Sequence, residues 1–206
     1  MEKIDFRKEM ADLYSPKLGG FVTVKVPKMS FLMVDGAGDP NTSKQYATAI
    51  ELLYTLSYTL KFKSKIELER DYTVPPLEGL WWADDMSDFV TGNKQRWKWT
   101  AMIMLPSWIS AQQFKEGVRV AEVKKPELDF SRIRREAFAE GLSVQTLFIG
   151  PYAEEGPVIK ELHSAYLPAN GLVENGRHHE IYLSDPRKVA PSKLKTIIRQ
   201  PVKKSK

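Results

Sequence analysis

Apolar and polar positions along this chain switch between two periods, and each switch predicts an element. Phe21-Val22-Thr23-Val24-Lys25-Val26 alternates with the two-residue period of a strand. Ser30 to Val34 is a second apolar run, or the same strand continued past Pro27. Asp35-Gly36-Ala37-Gly38-Asp39-Pro40 is a cluster of turn formers. Thr42 and Gln45 have the spacing of a capping box, and Tyr46, Ile50, Leu53, Tyr54 and Leu60 follow at helical spacing, which predicts a helix over 42–61. After Val74-Pro75-Pro76, the run Leu77–Trp82 predicts a strand, Thr91-Gly92-Asn93 a turn, and Arg96–Met104 another strand. Ser110 and Gln113 form a second capping box, which opens a short amphipathic helix carrying Ala111, Phe114, Val118 and Ala121. Residues 130–138 read as extended, with a hairpin turn at Glu140-Gly141 into a strand over 142–149 that Gly150-Pro151 breaks. A helix over 154–167, with Val158, Leu162, Ala165 and Tyr166 inward and Gly171 at its end, precedes a strand over 178–184 and a last strand near 196–199. Residues 1–20 carry only a weak pattern and read as a leader.

Set side by side, the two halves share an order: strand, Gly-containing turn, helix, strand with an internal Glu, strand. The first copy runs over roughly 30–104 and the second over roughly 143–200, and the first carries about a dozen extra residues between Lys61 and Pro75. This is a repeat of β-α-β-β units in pattern, not in residue identity. The class it predicts is α+β, with antiparallel sheets and helices on one face. The expected organisation is a leader over 1–20, a single domain over 21–200 with modules at about 22–108 and 130–200, and a basic tail over 201–206.

The composition excludes more than it selects. With 206 residues, 42% of them hydrophobic and 28% charged, the chain reads as an ordinary soluble globule. No apolar run approaches the roughly 20 residues that span a bilayer, and Met1-Glu2-Lys3-Ile4-Asp5 puts charges where a signal peptide needs an apolar core. There is no Cys, so disulfides and thiolate chemistry are excluded, and a cytoplasmic protein is the simplest fit. The net charge of +5 first suggests nucleic acid. It is concentrated, however, in residues 187–206, which hold eight Lys or Arg and no acid, while the rest of the chain carries a net charge of −3. That distribution reads as a solvated tail plus an exposed edge strand rather than a folded nucleic-acid face. No membrane or nucleic-acid partner is expected, and the oligomeric state is left open.

The run His178-His179-Glu180-Ile181-Tyr182-Leu183-Ser184-Asp185-Pro186-Arg187 holds the clearest candidate chemistry. On a strand Glu180 and Tyr182 point to the same side, and an acid on an apolar face costs energy unless it is paired. His178 and His179 point oppositely, so they do not bind one metal together. With His163 as the only other His, no metal and no cofactor are expected. There is no Ser-His-Asp signature, no Walker loop and no dinucleotide fingerprint. Glu78 sits at the matching place in the first copy. By parity Trp82 shares its face and Trp81 takes the other, so one of the two rings packs in the core and one lines a groove. Trp97 and Trp99 share one face of the neighbouring strand.

Pro75-Pro76-Leu77-Glu78-Gly79-Leu80-Trp81-Trp82, Trp97–Met104, Phe148-Ile149-Gly150-Pro151-Tyr152, and His178–Arg187 running on through Lys193–Arg199 together resemble the GyrI-like small-molecule-binding family. The resemblance covers most of the chain from about residue 22 onward, and its last piece is the most specific. It implies two β-α-β-β modules about a pseudo-twofold axis with a ligand groove between them. Members of that family include multidrug-binding domains of transcription regulators and stand-alone drug-binding proteins. One subfamily, which this chain resembles, hydrolyses the cyclopropane of DNA-alkylating compounds with an aromatic cage. The 20-residue leader is too short for a helix-turn-helix module, which disfavours a one-chain regulator.

The resemblance implies that Glu180 is the groove carboxylate, holding a ligand or activating water. Tyr152, at the groove rim after Gly150-Pro151, is its expected catalytic companion. Glu78, Trp82, Trp99, Phe138 and Tyr182 are expected to bind the ligand, with core packing as the alternative for each Trp and for Phe138 and Phe148. The expected partner is a flat apolar or aromatic small molecule. The expected function is hydrolysis of a strained electrophile, or, alternatively, drug binding or sensing without turnover.

Overall fold

The computed structural model describes residues 2–85, 88 and 92–205. In chain order its strands are β1 (Lys3–Ile4), β2 (Val22–Ala37), β3 (Asp71–Tyr72), β4 (Leu77–Trp82), β5 (Lys98–Leu105), β6 (Arg134–Ile149), β7 (Leu172–Glu174), β8 (His178–Tyr182) and β9 (Lys195–Lys204). Its α-helices are α1 (Phe6–Glu9), α2 (Ala11–Tyr14), α3 (Lys44–Glu67), α4 (Ala111–Lys124), α5 (Gly156–Glu161) and α6 (Leu167–Ala169). Six strands pair antiparallel in the order β2-β5-β4-β8-β9-β6, and β6 pairs back onto β2, which closes a barrel. The repeat expected from patterning is present as β2-α3-β4-β5 and β6-α5-β8-β9, and the two units meet where β4 lies beside β8.

Closure of the barrel explains why several strands read as continuous apolar runs. Along β2 and β5, Leu32, Val34, Ala101 and Ile103 face outward onto α3, where Leu52, Leu53, Leu56 and Leu60 are buried. The residues between them, Phe31, Met33, Met102 and Met104, face the barrel interior. Both faces are covered, so alternation is lost. Each of these side chains larger than Ala101 contributes about 1.5–3 kcal/mol by leaving water.

Several boundaries differ from the sequence expectation for identifiable reasons. The hairpin turn at Glu140-Gly141 does not form. Instead β6 runs straight through it against β2, with Val26 opposite Gly141 and Lys28 opposite Ala139. Gly141 takes φ +77° there, beside Pro27, which has no N–H to give the ladder. Helix α3 is capped by Ser43, whose hydroxyl accepts from the Tyr46 N–H at 3.3 Å, and it continues to Glu67. It therefore passes the expected end at 61, where Lys61 is buried and pairs with Asp71 at 2.6 Å. The capping box at Ser110 and Gln113 is formed. In the second-module helix a π-turn over Leu162–Tyr166 shifts the phase, so Leu167 is buried and Ala165 is exposed. Thr91 of the expected turn lies outside the described residues, and Gly92 has φ +69°.

The basic C-terminal strand is not an edge. β9 is paired by β8, β6 and β7, and Arg199 within it is fully buried. Its exposed residues are the lysines at its two ends, Lys195, Lys203 and Lys204. Nor do residues 2–20 hang free. Helices α1 and α2 pack Phe6, Met10, Leu13 and Tyr14 against the barrel-interior clusters. The Tyr14 hydroxyl donates to Glu78 at 2.9 Å, and the Leu13 carbonyl accepts from Arg199 at 2.6 Å. Apolar residues at 6, 10, 13 and 14 carry that contact, but two four-residue helices are too short to show a period. Among the described residues no helix is long and apolar enough to cross a membrane.

Candidate functional site

The seam between β4 and β8 is the floor of a cleft of about 1640 Å³. That exceeds the roughly 300–1,000 Å³ of common drug-sized pockets. Helix α3 forms one wall with Tyr46, Ile50, Tyr54 and Tyr58, and the start of the second-module helix forms the other with Tyr152, Glu155 and Ile159. Trp81, Glu180 and Tyr182 lie between these walls.

Parity and register decide what reaches the floor. Gly79 stands directly opposite Glu180, and Trp81 opposite His178. A Cβ on Gly79 would lie 2.7 Å from the Trp81 indole nitrogen, so only glycine lets that indole lie back across the floor. The Trp81 N–H donates to the Tyr182 hydroxyl at 3.1 Å, and the Tyr182 hydroxyl donates to Glu180 Oε2 at 2.7 Å. The other oxygen of Glu180 sits 3.2 Å from His178 Nε2. A carboxylate whose side chain is only 15% exposed is thus held by two partners and keeps access to the cleft.

Rings surround it. Tyr152 meets Tyr182 edge-on at 5.5 Å between centroids. Trp81 packs with Tyr46 at 5.7 Å and with Trp97 at 6.0 Å. Tyr54 stacks with Tyr58 at 6.3 Å along the helical wall. The phenols stay protonated across the ordinary range. Burial, then the charges of Glu155 and Glu180, push Tyr152 up to about 12. Burial and Glu180 likewise raise Tyr182 and Tyr46. These groups donate hydrogen bonds and do not act as bases near neutral pH.

A second carboxyl lines the same cleft. Glu155 precedes α5, is 3% exposed, and its Oε1 makes no hydrogen bond among the described residues. Burial and the charge of Glu180 push it up to about 9, while the nearby Thr196 hydroxyl and Lys94 partly offset this. Sequence reasoning missed Glu155. It follows Glu154 in a polar stretch between Gly150-Pro151 and the helix, and no period marks one of the pair as inward.

The candidates named from sequence divide in two. Glu180, Tyr182 and Tyr152 come together in the cleft, and Trp82 reaches its edge, where Arg177 lies over the ring at 3.7 Å. Trp81 is the more central of the tryptophan pair. Glu78, Trp99 and Phe138 do not line the cleft. Glu78 pairs with Ile181 on the barrel-interior face, one residue out of phase with Glu180, so the two carboxylates lie on opposite faces. It is fully buried, bonded to Tyr14 and 2.9 Å from His179 Nε2. His179 in turn meets Glu140 at 2.9 Å, and Glu140 meets Arg199 at 3.2 Å. Trp99 lies behind the wall, with no exposed surface, over Gly36 and edge-on to Tyr46 at 4.9 Å. Phe138 packs against Phe31 at 6.3 Å in the barrel interior, and Phe148 packs under the second-module helix.

A closed barrel of two such modules with a ring-lined seam defines a small-molecule-binding domain. The chain belongs to the GyrI-like small-molecule-binding domain family, whose match spans residues 21–203. No curated protein matches the chain. Among solved structures, an uncharacterized conserved protein from Listeria innocua is 40% identical with TM-score 0.88, the match covering 98% of this chain and 100% of that one. A hydrolase from Listeria innocua is 39% identical with TM-score 0.85, over 98% of this chain and 100% of that one. The C-terminal domain of EcmrR shares the fold at 12% identity and TM-score 0.56, covering 91% and 99% of the two chains.

Proposed function

We infer that this protein hydrolyses flat, apolar, strained electrophiles, of the kind in which a cyclopropane conjugated to a carbonyl alkylates DNA. Such a role is detoxification, and it fits a cytoplasmic protein that meets the agent before DNA does. The observation that carries the reading is Glu180, a partly buried carboxylate on the floor of a ring-lined cleft, oriented by Tyr182 and His178 with open space before it. The Listeria innocua relative described as a hydrolase supports catalysis rather than storage.

The ligand lies between the α3 wall and Tyr152, its rings against Tyr46, Trp81 and Tyr182. Glu180 holds a water and takes its proton as the oxygen attacks the ring methylene. The Tyr152 phenol hydrogen-bonds the conjugated carbonyl oxygen, where negative charge grows. Ring strain supplies much of the driving force, so positioning is the main demand on the protein. Incubation with a spirocyclopropyl dienone and mass analysis tests the reading. Addition of one water over many turnovers is expected. Ligand bound and returned unchanged would make the protein a multidrug-binding sink instead.

A further inference from the structure

A buried oxygen without a partner is costly, and native proteins rarely keep one without use. Glu155 is such a group, and it stands in the cleft rather than in the core. The groups that face it come from four places. Glu180 lies on β8 and Tyr182 on the same strand, Thr196 lies on β9, Lys94 precedes β5, and Tyr152 sits in the turn before Glu155 itself. By distance and angle none of these bonds Oε1, although the Thr196 hydroxyl stands close enough to the carboxyl to lower it in part. Two carboxyls that raise one another do not readily ionise together, and the charge of Glu180 acts on Glu155 in this way. The more deeply buried of the two keeps the proton, and that is Glu155, which is buried where Glu180 is only partly so.

We propose that Glu155 is the proton donor of this cleft, its unpartnered carboxyl giving a hydrogen bond and then a proton to the oxygen of a conjugated carbonyl on a neutral ligand. The inference rests on the hydrolase reading above and completes its proton balance. As the water oxygen bonds to the ring methylene, one ring C–C bond breaks and its electron pair moves through the conjugated system to the carbonyl oxygen. Glu155 O–H breaks and that oxygen becomes a hydroxyl. Glu180 has meanwhile taken a proton from the water. The product is the ligand plus one water, and transfer of the proton from Glu180 back to Glu155 through solvent resets the pair.

The test compares wild type with Glu155→Gln, which keeps shape and a hydrogen-bond donor but has no proton to pass. The probe is the spirocyclopropyl dienone. Turnover in E155Q is expected to fall by roughly 10²–10⁴-fold at unchanged affinity. The wild-type rate is expected to drop as pH rises through about 9, and the variant to lose that limb. Wild-type turnover in E155Q would overturn the proposal. The infrared difference between wild type and E155Q at neutral pH gives a second readout, independent of turnover. A protonated-carboxyl band that shifts when the dienone binds is expected, and its absence would overturn the assignment. If wild type binds the dienone without converting it, the hydrolase reading fails, and this band alone decides whether Glu155 is the neutral donor.

Discussion

The Tyr182 hydroxyl hands its hydrogen to Glu180 at 2.7 Å while it receives one from the Trp81 indole at 3.1 Å. One phenol therefore fixes the orientation of both the acid and the largest ring on the cleft floor. Tyr182→Phe removes both bonds and leaves the indole N–H unpaired. We expect a stability loss of about 1–3 kcal/mol in urea denaturation. Turnover is expected to fall by roughly 10²-fold as the carboxylate loses its aim, with a smaller change in ligand affinity. Equal losses in affinity and turnover would mean that the phenol only binds.

Gly79 is required by the same arrangement. Its partner across the seam is Glu180, and a methyl at this position would sit 2.7 Å from the Trp81 nitrogen. Gly79→Ala is expected to push the indole off the Tyr182 hydroxyl. It should shift the intrinsic tryptophan emission and weaken binding of a flat aromatic ligand while the barrel stays folded by circular dichroism. Unchanged ligand affinity would show that Trp81 does not shape the floor.

Inside the barrel, the Glu78–His179–Glu140–Arg199 chain predicts a pH dependence of stability. Burial opposes the charged ring of His179, but Glu140 and Glu78 outweigh it and lift the group from 6.5 to about 9. A raised value stabilises the fold in full below the unfolded value of 6.5, and this contribution is lost as pH rises through about 9. For Glu140, burial works the other way, and His179 and Arg199 still hold it below its ordinary 4.5, so its contribution is lost on the acid side. Unfolding free energy should therefore fall both above pH 9 and in acid. His179→Gln should remove the alkaline limb and cost about 3–5 kcal/mol by leaving buried carboxylates uncompensated. An alkaline limb that persists in the variant would contradict this account.

Much of the architecture is legible in the pattern of the chain, because two β-α-β-β units repeat and each strand and cap has a local signature. Ser110 and Gln113 announce their helix, and Glu180 with Tyr182 announces a shared face. What the chain hides is set by tertiary partners. Pro27 beside Gly141 looks like a break until β2 and β6 are laid side by side. Arg199 looks like part of a solvated basic run until Glu140, Gln145 and the Leu13 carbonyl are found around it. Glu78 matched Glu180 in order along the chain, but a one-residue difference in phase sent it to the opposite face. Glu155 had no period to mark it, since its burial comes from the opposing wall.

The central claim is that Glu180 activates water for a ligand held by rings, and the most direct measurement is Glu180→Gln against wild type with a spirocyclopropyl dienone. Affinity is read by fluorescence quenching and water addition by mass analysis. The account predicts ligand affinity close to that of wild type and turnover lowered by roughly 10²–10⁴-fold. Water addition at the wild-type rate in that variant would contradict it.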